Sequence, residues 1–341
     1  MTNLIDHDVD AGPAPVPLTV LTGFLGAGKT TLLNRILTGD HGLRVAVLVN
    51  DFGSVNIDAD LVVGVEDNVV SLANGCVCCS IRDDLIEAVT QVMDRPERSQ
   101  YLILEASGVA DPSGIMLTFS NPSLRGRIRL DSIICVLDAE QVFAVPEAMA
   151  LKLRQIAYAD MVLLNKVDLV EREDITRITS WLDDWFHRYR LVQTSRCDVP
   201  MDVLLSVGSL DPARDQCGTR RKLPSQPHDH DDHARAFSTW SWKSDAPLSL
   251  SMLREALKAL PADVYRCKGI IFSADVPTRR VVLQVVGKRV DLTLADAWGK
   301  RARSTQIVAI GAGGRVDAKA LSETFERCCE RSAADTAPRE R

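Results

Sequence analysis

"GFLGAGKTT", residues 23–31, carries the spacing G-x-x-x-x-G-K-[ST] with Gly23, Gly28, Lys29 and Thr30 in register. The apolar run "VPLTVLT" (16–22) before it reads as a strand, and "TTLLNRILTG" (30–39) after it reads as a helix. A strand, a glycine loop and a helix in that order form the context that gives the motif its chemistry. The glycines let the backbone wrap around phosphates and aim N–H groups at them, and the helix N-terminus adds partial positive charge. Gly26, Ala27 and Thr31 complete the phosphate-binding stretch. Lys29 is expected to neutralise the β- and γ-phosphates, and the Thr30 hydroxyl to bind magnesium.

Outward from this loop, apolar runs and helical stretches alternate. "RVAVLVN" (44–50), "NVVSLA" (68–73), "YLILEA" (101–106), "SIICVLD" (132–138), "MVLLN" (161–165) and "YRLVQTS" (189–195) read as strands covered on both faces, with helices between them such as 81–94. The expectation is an α/β fold: a mostly parallel sheet flanked by helices over residues 16–207. Residues 208–235 lack apolar periodicity and read as a linker. A smaller α+β domain follows over 236–330, with strand-like "AFSTWSW" (236–242), "CKGIIFSA" (267–274), "RRVVLQVVGKRVDLT" (279–293) and "STQIVAIG" (304–311) and helices near 248–260 and 317–330. Residues 1–15 and 331–341 read as tails.

The composition sets bounds. Hydrophobic residues are 46% and charged residues 25% of 341, with a net charge of −6. That is the mix of a globular protein and gives no sign of a nucleic-acid binder. No apolar run approaches the roughly 20 residues that span a bilayer. The start lacks the basic and apolar stretches of a secretory signal, so a cytoplasmic location is expected, with the nine cysteines reduced.

"LLNKVD" (163–168) follows the loop at a strand end. The Asp168 carboxylate can accept from guanine N1–H and the 2-amino group, a donor pair that adenine lacks. Asn165 fits the same motif, and the stem of Lys166 can lie along the base. Thr194 and Ser195, at the next strand end, are further base contacts. Glu105, closing "YLILE", is placed to hold magnesium's water or to orient the attacking water, and Gly108 to donate its N–H to the γ-phosphate. Asp51 and Asp58 lie in the loop after the second strand, as a nucleotide-sensing switch would; Asp51 is a catalytic candidate, and a turn or cap role for it stays open.

"NGCVCCS" (74–80) gathers Cys76, Cys78 and Cys79. Three thiolates converging in one loop suit zinc, cobalt or copper(I) and leave a fourth position open. Cys76 and Cys79 also satisfy C-x-x-C, the spacing of a redox pair, and free cysteines often serve as core packing. "PHDHDDH" (227–233) offers His228, His230 and His233 as auxiliary metal ligands; a solvated linker is the plain alternative. Cys328 and Cys329 have no third ligand nearby in the sequence and read as structural.

"GFLGAGKTTLLN", "GCVCC", "EASGVADP" and "NKVD" in this order resemble the CobW-like metallochaperone GTPases of the SIMIBI class, as do "RCKGIIF" (266–272), "VVGKR" (285–289) and "IVAIG" (307–311) in the second domain. The resemblance spans about 16–330. It implies a GTPase using GTP and magnesium that binds a metal at Cys76, Cys78 and Cys79, zinc first and cobalt next. It also implies delivery to a client apo-metalloprotein. In such proteins GTP organises the metal loop and hydrolysis releases the ion. Many members carry glutamate where Asp51 stands and another acid where Ser54 stands, so here the cysteines carry the site with less help. No arginine finger is evident, and intrinsic hydrolysis is expected to be slow. A nucleotide-regulated zinc buffer without transfer, or a maturation factor for a cobalt or iron enzyme such as nitrile hydratase or one of the cobalamin pathway, stays open. So does homodimerisation. A P-loop kinase or ATPase with a redox cysteine pair is disfavoured by Asn165 and Asp168.

Overall fold

The computed structural model describes residues 15–49, 69–71, 80–119, 121–122, 124, 126–187, 189–205 and 237–329. Asp51, Asp58, Cys76, Cys78, Cys79, His228, His230 and His233 lie outside the described residues. The described residues fall into two compact units, one up to residue 205 and one from 237.

The first unit runs β1 (Val16–Thr22), α1 (Lys29–Thr38), β2 (Val45–Val49), β3 (Val69–Ser71), α2 (Ser80–Met93), β4 (Tyr101–Glu105), α3 (Pro112–Phe119), β5 (Ile128–Asp138), α4 (Met149–Tyr158), β6 (Met161–Asn165), α5 (Arg172–Trp185), β7 (Leu191–Gln193) and α6 (Met201–Leu204). Its seven strands are ordered β3-β2-β4-β1-β5-β6-β7, and every neighbouring pair is parallel. This is the expected P-loop GTPase architecture.

The unbroken apolar runs now have their reason. Leu18 and Val20 of β1 share one face with Ile133 of β5, and that face buries Leu85, Val89 and Val92 of α2 and Ile115 of α3. Further along, Cys135 and Leu137 of β5 and Val162 and Leu164 of β6 pack with Ile156 of α4 and Ile178 and Leu182 of α5. The alternate residues Leu21, Val47, Ile103, Val136 and Leu163 are equally buried, as are Leu32, Leu33 and Ile36 of α1. A strand covered on both sides cannot alternate polar with apolar.

β1 lies between β4 and β5: the chain leaves β1 toward β2 on one side and later crosses from β4 to β5 on the other. A crevice opens at the carboxyl ends of the strands at such a switch point, where ligands bind in open α/β sheets. The described loops that carry nucleotide motifs, after β1, β4, β6 and β7, sit at that edge.

The second unit holds β8 (Phe237–Ser244), α7 (Leu250–Lys258), β9 (Val264–Ile271), β10 (Arg279–Val286), β11 (Arg289–Ala297), β12 (Thr305–Ala312) and α8 (Ala318–Glu326). Its sheet, ordered β11-β10-β9-β12-β8, is antiparallel throughout. The strand-like run 279–293 is two strands: Val286 pairs with Arg289 across a two-residue turn in which Gly287 has φ 56°. Leu253 and Leu257 of α7 and Leu321 and Phe325 of α8 cover one face, with Trp240 stacked on Phe325 at 5.5 Å. Cys328 is buried and donates to the Thr324 carbonyl at 3.4 Å, an ordinary packed thiol.

Candidate functional site

The loop after β1 turns on glycine. Gly23, Gly26 and Gly28 have φ of 131°, 73° and 110°, conformations that L side chains rarely adopt. Space forbids a side chain at two of them. A Cβ on Gly23 would lie 2.1 Å from the Val136 carbonyl oxygen, and one on Gly28 would lie 2.5 Å from Asn165 Nδ2. Gly28 caps α1, so the first turn of that ten-residue helix opens from the loop. Lys29 is buried and its Nζ reaches back to the Phe24 carbonyl at 3.3 Å. Beneath the loop, burial pushes the Cys135 thiol up to about 12, against a smaller pull downward from the Lys29 charge.

Thr30 and Glu105 meet across the sheet. The Thr30 hydroxyl donates to Glu105 Oε1 at 2.8 Å, and Glu105 is buried at the end of β4. A hydroxyl and a carboxylate side by side form the hard oxygen donor set that suits magnesium. Gly108 follows in the next loop. A Cβ there would lie 2.8 Å from Leu25 N, so this glycine sits directly against the phosphate loop.

The base side is held by Asn165. Its Nδ2 donates to the Ala27 carbonyl at 2.9 Å, and its Oδ1 accepts from the Cys197 N–H at 2.9 Å. The side chain is buried and works as a clamp between two loops. Lys166 has φ 62° and its Nζ lies 2.6 Å from Asp138 Oδ2. Asp168 is exposed in a short 3₁₀ turn, Val167–Leu169, open to the solvent side. Thr194 is buried and donates to the Asp198 carbonyl at 3.0 Å, which shapes the loop after β7. Ser195 is half-buried, and its carbonyl accepts from Asp198 N at 3.0 Å.

The family model "CobW/HypB/UreG, nucleotide-binding domain" matches residues 17–193, and "Cobalamin synthesis protein cobW C-terminal domain" matches 237–329. The chain belongs to the CobW/HypB/UreG family. A zinc chaperone CobW of Sinorhizobium sp is 30% identical over 339 residues, covering 88% of this chain and 94% of that one. A zinc chaperone CobW of Pseudomonas aeruginosa is 32% identical over 338 residues, covering 87% and 88%. A zinc-regulated GTPase metalloprotein activator 1 of Dictyostelium discoideum is 31% identical over 326 residues, covering 83% and 68%.

In this CobW/HypB/UreG chain the elements from the phosphate loop to Asp168 fall within the matched nucleotide-binding region. Three participants have no motif to announce them. Asp138, at the end of β5, accepts from the N–H groups of Glu140 and Gln141 at 2.9 and 3.2 Å while pairing with Lys166. Cys197 has φ 55° and sends its thiol to the Gly28 carbonyl at 3.4 Å. Burial pushes that thiol up to about 12, with weaker opposing pulls from the Arg35 and Lys166 charges, so it stays a neutral donor. The third is Gln155 on α4, whose Nε2 donates to the Gly108 carbonyl at 3.1 Å. It shares the packed face of that helix with a second polar residue, Lys152, and residues of these two types are easily read as solvent-facing. Among the described residues no group of three His, Cys, Asp or Glu side chains is arranged to hold a metal ion, and no helix is long and apolar enough to cross a membrane.

Proposed function

We propose that this protein is a GTP-hydrolysing zinc metallochaperone. GTP is its fuel, zinc its cargo, and a client apo-metalloprotein its acceptor. The observation that carries the GTP half is the assembled crevice. A glycine loop with no room for a side chain at Gly23 or Gly28, the Thr30–Glu105 pair and a clamped N-K-x-D loop all stand at one sheet edge. The names of relatives covering most of this chain, zinc chaperone and zinc-regulated GTPase, support the metal half.

The residues divide the work as follows. Backbone N–H groups of 24–30 and the α1 N-terminus receive the phosphates. Lys29 moves from the Phe24 carbonyl to the β- and γ-phosphates. Thr30 and Glu105 would hold the magnesium ion, which neutralises charge developing between those phosphates when bound. Glu105 orients the attacking water, and Gly108 offers its N–H to the γ-phosphate. Asp168 accepts from guanine, and Asn165 keeps the phosphate and base loops in register.

Cys76, Cys78 and Cys79 are the proposed thiolate ligands for zinc, with cobalt as the second fit. Asp51 is the proposed catalytic and nucleotide-sensing acid, and His228, His230 and His233 are proposed as auxiliary capture ligands. The test is zinc affinity by chelator competition, with a non-hydrolysable GTP analogue or with GDP, in wild type and Cys78→Ala. The proposal expects tighter zinc with the analogue in wild type only. Equal affinities in all four cases would remove the coupling.

A further inference from the structure

Helix α4 carries two buried polar side chains that the mechanism above does not use, Lys152 and Gln155. The Lys152 ammonium is accepted by the carbonyls of Gln141 and Val142, each at 3.0 Å, and of Ala144, and it stands 4.9 Å from the centroid of the Phe24 ring in the phosphate loop. Less than one turn later, Gln155 is fully buried. Its Nε2 donates to the Gly108 carbonyl at 3.1 Å and to the Ala110 carbonyl at 3.2 Å. The neighbouring Arg154 pairs with Asp111 at 3.2 Å. One helix is thus seated on the phosphate loop and on the loop after β5, and grips the loop after β4.

We infer that Gln155 is a positioning residue for the γ-phosphate side of the site, holding the loop after β4 so that its amide hydrogens, rather than its carbonyls, face the nucleotide. The inference rests on the GTPase reading and adds the device that tells GTP from GDP. Each carbonyl is trans to the next N–H, and the described chain has no cis peptide bonds. With the Gly108 and Ala110 carbonyls drawn onto α4, the N–H groups of Val109 and Asp111 point away from it. On its other side the loop abuts Leu25 of the phosphate loop through Gly108, so it is wedged between the helix and the phosphate cradle. Packing alone does not account for a glutamine here. Its Oε1 is buried with no hydrogen-bond partner, and a methionine would fill the same volume without stranding an acceptor. The two amide donors are what the position uses.

The experiment uses the full chain. Affinities for GDP and for a non-hydrolysable GTP analogue are measured for wild type, Gln155→Met and Gln155→Glu. The expected result is an analogue affinity about tenfold weaker in Gln155→Met, the worth of one or two hydrogen bonds, with GDP within twofold. Gln155→Glu, whose carboxylate repels both carbonyls, is weaker still for the analogue. Hydrogen exchange on wild type tests the same point without a variant: the analogue should slow the amides of Val109 and Asp111, and GDP should not. Equal losses for both nucleotides, no loss for either, or no difference in amide protection would overturn the role of Gln155 while leaving the GTPase reading standing. Wild type that binds neither nucleotide would overturn both.

Discussion

Thr30 at the start of α1 donates its hydroxyl to Glu105 at the end of β4, 75 residues away, at 2.8 Å. The two oxygen groups proposed to hold magnesium are therefore brought together by the fold itself, through the parallel pairing of β1 with β4. Glu105→Gln keeps the volume and the acceptor for Thr30 but removes the charge. Its GTP turnover is expected to fall about 10²- to 10³-fold, the scale of a lost water-orienting group, with GDP affinity changed less than about threefold. Single-turnover hydrolysis and a GDP titration measure the two halves.

Asn165 and Asp168 share a motif but not a task, and their variants should separate. Asn165→Ala strands the buried Ala27 carbonyl and Cys197 N–H, at about 1–3 kcal/mol for each group. It is expected to lower the unfolding free energy by about 2–4 kcal/mol and weaken every nucleotide. Asp168 is exposed, so Asp168→Asn should leave stability within about 0.5 kcal/mol. Its amide presents a donor where guanine needs an acceptor, so GTP should weaken about 10- to 100-fold. Xanthosine triphosphate, with a carbonyl in place of the 2-amino group, should recover the loss. Urea unfolding beside nucleotide titration checks both.

The loop glycines give a graded prediction. Gly26 has φ 73° and open space around its Cα, so Gly26→Ala costs only the left-handed strain, about 1–2 kcal/mol. Gly23→Ala adds a Cβ 2.1 Å from the Val136 backbone oxygen, which belongs to a central strand and cannot yield. Its loss of stability should exceed that of Gly26→Ala in the same urea series.

The placement of the phosphate loop, Thr30, Glu105 and the N-K-x-D residues at strand ends was legible because each sits at a fixed spacing from an apolar run, and the run itself sets where the strand ends. The second unit was legible to the level of its strand-like runs, except where Gly287 folds 279–293 into a hairpin. Strand order was not legible, since nothing local to β4 says that it inserts between β1 and β2. Cys197 was hidden for the same reason: its thiol meets Gly28 across 169 residues. Lys152 and Gln155 were hidden by type. Lysine and glutamine in an amphipathic helix normally mark the wet face, and the carbonyls of the loops after β5 and β4 make burial tolerable here.

Burial pushes the thiols of Cys135, Cys197 and Cys267 from 9.0 up to about 12. In the unfolded chain they release protons near 9, while in the folded chain they hold them. The contribution of these groups to stability is therefore complete below pH 9 and is lost as pH rises toward 12. The urea midpoint should be lower at pH 10 than at pH 8. At pH 8 these three thiols should resist alkylation in the native state and react on unfolding, which mass spectrometry of the labelled peptides reads directly.

The central claim is that occupancy of the crevice by GTP controls the grip on zinc. The most direct measurement is the zinc dissociation constant by chelator competition under reducing conditions, with magnesium and either the non-hydrolysable GTP analogue or GDP, in wild type and Cys76→Ala/Cys78→Ala/Cys79→Ala. The account predicts at least tenfold tighter zinc with the analogue in wild type, and no nucleotide effect in the triple variant. Wild-type zinc affinity that is the same with both nucleotides would contradict it.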